Sequence, residues 1–210
     1  MEALTIVGLL VAFALGYGAR RYRTYVFQNR GEARVSRVLR RRFRPPDYHL
    51  MDHLTLPLKN GTTQVDHVLI SRFGVFVIET KEYTGWIFAG PQDPTWTQVL
   101  YRAKFRFQNP LRQNHLHVSK IRELLDFLPS DAVVPVVVFA GNAEFKTPIP
   151  DGVFTLESLL RYLDSRKAEV ISTNRLQFCV GRLETTRLSI SKATDVEHVE
   201  QLRRRYGERE

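Results

Sequence analysis

Two neighbouring stretches, QVDHVLIS at 64–71 and GVFVIETK at 74–81, restrict the fold more than any other feature of this 210-residue chain. Both are rich in β-branched and aromatic residues, and a short turn around Arg72-Phe73-Gly74 separates them, the pattern of two joined strands. Side chains alternate along a strand, so Gln64, Asp66, Val68 and Ile70 share one face, and Val65, His67 and Leu69 share the other. On the second strand Val75, Val77, Glu79 and Lys81 share a face, opposite Phe76, Ile78 and Thr80. Both faces are largely apolar. Such strands need a packed layer on each side. The unbroken apolar run AVVPVVVFA at 132–140 has the same requirement.

The rest of the chain supplies helices for those layers. Arg30–Phe43 sets Val35, Val38 and Leu39 at helical spacing under an Arg-rich outer face, and Pro45-Pro46 ends it. Tyr48–Leu58 reads as a strand closed by Asn60-Gly61. Gly85–Phe88 reads as a further strand, and Trp96–Arg106 as another strand or an irregular arm. Asn109-Pro110 opens a helix over Leu111–Leu128. Leu156–Arg166, Val170–Leu183 and Val196–Tyr206 read as helices. Strands clustered early, a crossover helix and a buried strand predict one α/β domain with a mixed sheet flanked by helices.

Charge is unevenly placed. The chain holds 31 Lys+Arg against 22 Asp+Glu, yet residues 20–44 alone carry ten arginines and one acid, Glu32. The high pI therefore reports an Arg-rich segment, not a globule that is basic throughout. Before that segment, Ala3–Ala19 has no charged residue. As a helix it would be about 25 Å long, the short end for a bilayer span. A secretory signal would place positive charge before the apolar run, whereas here Arg20, Arg21 and Arg23 follow it. The positive-inside tendency then puts the body of the protein in the cytoplasm. The single cysteine, Cys179, fits a reducing compartment and reads as a core residue. The expectation is a single-pass anchor in the cell membrane at residues 1–23, with a cleaved signal and a buried core helix as alternatives. The Arg20–Arg44 cluster reads first as a lipid-facing patch and second as a nucleic-acid patch.

The chemistry lies at one end of the strand pair. A symmetric turn across Ser71–Gly74 sets Asp66 opposite Glu79 and Gln64 opposite Lys81. Opposed residues stand about 5 Å apart, and Glu79 and Lys81 about 6–7 Å apart on one face. Two facing carboxylates repel, and uncompensated buried charge costs several kcal/mol. A divalent cation between them relieves both problems, and oxygen ligands favour Mg²⁺ or Mn²⁺. Lys81 would lie beside it, where a water attacks or negative charge develops. That arrangement suits phosphodiester hydrolysis. The alternative is a plain salt bridge at the ends of two strands.

Residues 94–122 hold six basic side chains, Arg102, Lys104, Arg106, Arg112, Lys120 and Arg122, and no acid. Trp96, Tyr101, Phe105 and Phe107 are interleaved with them, which suits phosphates and exposed bases. A solvated face over a core fits equally well. His67, His115 and His117 are candidate bases near the charged residues, although hydrogen-bonded or exposed histidines are more common. His49 and His53 have helical ligand spacing but no third ligand nearby, so zinc is not expected. No G-x4-G-K-[ST] loop is present, which argues against a P-loop NTPase.

Several of these stretches together resemble the nuclease-related domain (NERD) family: Gly31-Glu32, QVDHVLIS, GVFVIETK, Gly85 and the Asn109-Pro110-Leu111-Arg112-Gln113-Asn114 segment. The family is similar to the restriction-endonuclease-like superfamily, whose site is an Asp followed by Glu-x-Lys on a hairpin. The resemblance implies Asp66 and Glu79 as metal ligands and Lys81 as the catalytic lysine. It implies Glu32 as an acid completing the metal site, Gln113 as a further site residue and Gln64 as a neighbour of the substrate. It implies a core at 24–150, with 151–210 as a helical extension packed on it. The expected function is a membrane-anchored, Mg²⁺- or Mn²⁺-dependent nuclease acting on DNA more readily than RNA, with Arg102, Lys104, Arg106 and Arg112 binding substrate. The alternative is a noncatalytic nucleic-acid- or protein-binding scaffold on the membrane with the same fold.

Overall fold

The computed structural model describes residues 30–188. The apolar segment 3–19, Arg20, Arg21 and Arg23, and the helix expected at Val196–Tyr206 lie outside those residues. Among the described residues no helix is long and apolar enough to cross a membrane.

A helix α1 (Arg30–Arg42) leads into three antiparallel strands, β1 (Tyr48–Leu58), β2 (Gly61–Ser71) and β3 (Gly74–Lys81). Then come β4 (Gly85–Phe88), β5 (Thr95–Leu100), β6 (Ala103–Gln108) and helix α2 (Pro110–Leu124). The chain continues through β7 (Val133–Phe139), β8 (Ala143–Phe145), β9 (Val153–Thr155), α3 (Leu156–Ser165) and α4 (Thr173–Thr186).

The expected single mixed sheet is in fact two. The larger has the order β1-β2-β3-β7-β9 and the smaller β6-β5-β4-β8. The two are continuations of one ribbon. β3 and β7 run parallel as far as Lys81↔Phe139, and β4 and β8 resume a parallel pairing at Gly85↔Ala143. Between them the ribbon breaks at 82–84 and 140–142. Gly141 passes so close to Tyr83 that a Cβ there would stand 2.1 Å from the Tyr83 carbonyl oxygen, and Gly85 turns the chain at φ +80°. Trp96–Arg106, for which the sequence allows a strand or an arm, is a hairpin of β5 and β6.

Each face of the large sheet is covered, as its two-sided apolar strands require. Val68, Ile70, Val75 and Val77 pack against Val118 and Ile121 of α2 and Leu176, Cys179 and Leu183 of α4. Leu69, Phe76, Ile78, Val136 and Val138 pack against Val35 and Leu39 of α1 and Leu159 and Leu163 of α3. Pro135 is tolerated in the inner strand β7 by position. Val137, two residues on, donates its N–H to Gly152 on the β9 side, and β9 pairs only from there onward. The missing N–H of Pro135 thus faces no ladder partner.

Helix α2 is fixed at both its start and its middle. Asn109 caps it by accepting from Leu111 N at 2.9 Å, and its amide donates to the carbonyls of Pro91 and Asp93. Asn114, 1% exposed, donates across the β3–β7 seam to Val77 O at 3.0 Å and Val136 O at 2.9 Å. The helix ends at Leu124 rather than Leu128: Leu125 caps it, its N–H bonded to Ile121 O, and Leu128 precedes Pro129, which keeps that residue out of helical geometry. Replacing Asn114 with Ala leaves two buried carbonyls without this donor. Urea unfolding is expected to show a loss of about 1–3 kcal/mol.

Candidate active site

The site forms where the sheet's ladders come apart. β2 and β3 pair in the expected register from Ser71↔Gly74 to His67↔Ile78, and there the pairing stops. On the other side of β2, the register with β1 runs through Asp52↔His67 and Leu54↔Val65 but skips His53 and Asp66. His53 has φ +49°, which breaks the ladder at that point. Asp66 is therefore released on both sides. Its Oδ2 accepts from Thr80 N at 2.7 Å, a side chain standing in for a ladder carbonyl. Asp66 and Glu79 face each other across a fork and not across a closed pair. Gln64 does not oppose Lys81: it pairs with Thr55 of β1, because the β2–β3 ladder has already ended.

Glu79 and Lys81 project from the end of β3 towards α2. Lys81 Nζ donates to Glu79 Oε1 at 2.7 Å and to Gln113 Oε1 at 3.0 Å. The other oxygen, Glu79 Oε2, lies 3.2 Å from His117 Nε2, but the two are not aligned as a hydrogen bond. Glu79 is 2% exposed, so Oε2 is a buried carboxylate oxygen with no linear donor. His117 Nδ1 contacts Thr63 Oγ1 at 2.8 Å. The two ring nitrogens thus face different partners, Nε2 the carboxylate and Nδ1 the Thr63 hydroxyl. Gln113 and His117 stand one helical turn apart, with Asn114 clamped to the sheet between them.

These contacts divide the carboxylates into two kinds. Burial works against ionisation of Glu79, but His117 and Lys81 outweigh it and hold its carboxyl below the ordinary value. Asp66 is pushed well above its ordinary value by burial and then by the charges of Glu79 and Glu32. Burial also raises Glu32, with Glu79 and Asp52 adding to it while His67 and Lys81 oppose. Lys81 is drawn down by burial, but Glu79 and Asp66 more than restore it, so it remains an ammonium. Glu32 reaches this field because α1 starts against the end of β3. Gly31 N donates to Glu82 Oε2 at 2.8 Å, and a Cβ on Gly31 would stand 2.8 Å from that of Glu82. Among the described residues no three His, Cys, Asp or Glu side chains form a ready metal cage.

Residues 28–140 match the model of the nuclease-related domain. The chain belongs to the nuclease-related domain family. It is also 41% identical over 97 residues to an uncharacterized protein of Bacillus anthracis, a match covering 46% of this chain and 45% of that protein. The chain thus spans less than half the length of that relative. No solved structure matches it.

Within this nuclease-related domain, other candidate residues are dispersed. Arg102 sits at the turn of the β5–β6 hairpin, and Lys104 and Arg106 lie along β6, all three exposed on the small sheet. Arg112, on α2, donates to Gln92 O at 2.7 Å and braces the loop before β5. His115 is exposed on α2. Of the interleaved aromatics, Trp96 and Phe107 belong to the core under the small sheet. His49 and His53 lie on a strand, so their four-residue spacing is not one helical face. His53 Nδ1 is instead 3.5 Å from Glu32 Oε2.

A second polar cluster occupies the other face of β2. His67, fully buried, places Nδ1 2.7 Å from Asp52 Oδ1, which also accepts from Ser36 Oγ at 3.0 Å. Arg40 pairs with the second Asp52 oxygen. Asp52, Ser36, Arg40 and Thr63 carry no motif, and only the tertiary fold brings them together. Burial opposes ionisation of Asp52, but His67, Arg40 and Ser36 override it and hold the carboxyl far below its ordinary range. The folded chain thus binds the Asp52 proton more weakly than the unfolded chain. Its stabilisation is present above the ordinary carboxylate range and is lost as pH falls through the depressed folded value. In Asp52→Asn, urea unfolding is expected to show a loss of about 1–3 kcal/mol at pH 7 and a shallower decline of stability towards acid.

Proposed function

We propose that this protein is a divalent-metal-dependent nuclease that hydrolyses phosphodiester bonds in nucleic acid, DNA more readily than RNA. The observation carrying this reading is Lys81, held between Glu79 and Gln113 at the open end of the β2–β3 fork that Asp66 spans. The donor set fits a hard cation. Glu79 Oε2 is a buried oxygen without a linear donor, and Asp66 resists ionisation because it is buried and because the charges of Glu79 and Glu32 add to that. Mg²⁺ keeps several waters and takes only one or two carboxylates, so a three-ligand protein cage is not required. Asp66 and Glu79 would hold Mg²⁺ or Mn²⁺, with Glu32 beside them. Such a cation supplies charge that acidifies a bound water and neutralises phosphate oxygens.

The chain's own groups do the rest. Lys81 is an ammonium, so it serves as a hydrogen-bond donor and positive charge beside the scissile phosphate, and not as a base. Gln113 Oε1 fixes where its Nζ points. Thr63 holds the His117 ring, whose Nε2 lies beside the second oxygen of Glu79. Residues 3–19 would anchor this domain in the cell membrane on the cytoplasmic side, with the Arg20–Arg44 segment towards lipid headgroups except where Arg40 and Arg42 are paired with Asp52 and Asp164. Their support is the uncharged run followed by arginines. One observation favours a noncatalytic scaffold instead: both Glu79 oxygens already face cationic or N–H groups.

Full-length protein in detergent is expected to cut DNA in Mg²⁺ or Mn²⁺ and to stop in EDTA. Lys81→Ala should lower the rate about 10²–10³-fold, the usual effect of removing one transition-state donor. Intact DNA and RNA in both metals would leave only the scaffold reading. Mg²⁺ is also expected to raise the melting temperature of the parent protein but not that of Asp66→Asn/Glu79→Gln, measured by differential scanning fluorimetry.

A further inference from the structure

The small sheet has two faces of opposite character. Ile87 and Trp96 point inward with Phe107, over Val137 and Phe139 of β7. The outward face is built from two cross-strand rows. In one, Trp86 pairs with Val99 and Val99 with Lys104; in the other, Phe88 pairs with Thr97 and Thr97 with Arg106. Trp86 is 48% exposed and Phe88 40% exposed. They are alternate residues of β4, so they rise from one face of the sheet with backbones about 7 Å apart. Arg102 and Tyr101, the latter 95% exposed, stand at the adjoining hairpin turn. Lys146 Nζ lies 4.7 Å from the Trp86 ring centroid, and the acid on this face, Glu144, is paired with Lys146. The face is therefore cationic along the β6 edge and aromatic along β4, with Val99 and Thr97 of β5 between them.

Aromatic side chains are normally buried, and two of them aligned on an exposed strand need a partner with flat apolar faces. The cations beside them specify that the partner is anionic. A nucleic-acid strand meets both conditions when its bases are unpaired, because each base then offers a ring to stack and each linkage a phosphate. A duplex hides its ring faces in its own stack. We infer that this face binds single-stranded nucleic acid, with bases stacked on Trp86 and Phe88 and phosphates against Lys104 and Arg106. This names the strand type for the nuclease reading above and rests on that reading for its choice of polymer. The placement agrees. β4 follows directly from the strand carrying Lys81, and the five residues from Lys81 to Trp86 span at most about 18 Å.

The test uses full-length protein carrying Lys81→Ala, in EDTA, with oligothymidylate and a duplex of equal length as probes. Affinity is read from the fluorescence anisotropy of end-labelled probes, and in proteins that keep Trp86, which is exposed while Trp96 is 1% exposed, strand binding should also quench tryptophan emission. Oligothymidylate is expected to bind at least about tenfold more tightly than duplex, and Trp86→Ala or Phe88→Ala to weaken strand binding about 5–150-fold. Trp86→Phe keeps a ring and should retain most of the affinity. Lys104→Ala/Arg106→Ala should flatten the dependence of log affinity on log salt by about 0.7 for each phosphate the variant no longer neutralises. Equal affinity for strand and duplex, or ring variants that bind strand like the parent, overturns the inference. So does a ring variant that keeps strand binding but no longer binds phosphatidylserine vesicles, which would make the face a lipid-binding surface. Ring-dependent strand binding in a parent protein that cuts nothing sustains this inference and removes the nuclease reading. Cutting with ring-independent binding does the reverse.

Discussion

A carboxylate cannot lie buried among valines and isoleucines unless donors surround it, and Glu79 sets that condition for the whole molecule. Lys81, two residues along, satisfies one oxygen, but a buried ammonium needs acceptors of its own, and Gln113 provides one. His117 turns to the other oxygen and is held by Thr63. These contacts require α2 to cross the end of β3 at one height and with one face down. Asn114 secures the height from the sheet, and Asn109 secures the start from the loop before β5. The packing of Val118 and Ile121 on the sheet follows from the same placement.

The division into two sheets serves the same end of the molecule. If the β2–β3 ladder continued past Ile78, Asp66 would be locked in a pleat and Thr80 N would be consumed by a strand carbonyl. Parting the strands exposes the backbone of β3 on one edge, and Asp66 takes up the N–H that is freed. β3 and β7 stay together to Lys81↔Phe139, so the charged end keeps a rigid floor. Only then does the ribbon break and re-form as β4 and β8, carrying the basic and aromatic hairpin with it. Glu32 enters because Gly31 allows α1 to start against Glu82.

Much of this is legible in the sequence, for identifiable reasons. β1 and β4 have the bounds that turn residues and β-branched content set for them, and the β2–β3 register follows from the short turn at Arg72-Phe73. Asp66, Glu79 and Lys81 stand out because charge interrupts otherwise apolar strands. What alternation cannot reveal is the end of the ladder. Period-two reasoning extends a register indefinitely, so it sets Gln64 opposite Lys81, whereas the backbone of His53 and the pull of Thr80 N end the pairing first. β8 and β9 are hidden because three residues are too few for a periodic signal. Adjacency in sequence groups Trp96 and Phe107 with the cations, but it does not tell which face of a strand is covered. Thr63 and Asp52 join their clusters only through contacts distant in the chain.

Asn109 has a consequence beyond capping. It stands four residues before Gln113 and eight before His117, and four residues advance a helix by slightly more than one turn. The cap thus acts as the zero mark of an angular scale on which both side chains are read. Lengthening or shortening the stretch from Asn109 to Gln113 by a single residue would turn everything after it by about 100°, carrying amide and imidazole away from the fork together. The loop before β5 meets Asn109 through backbone carbonyls, whereas the interval that follows Asn109 sets the angle of both side chains through its length.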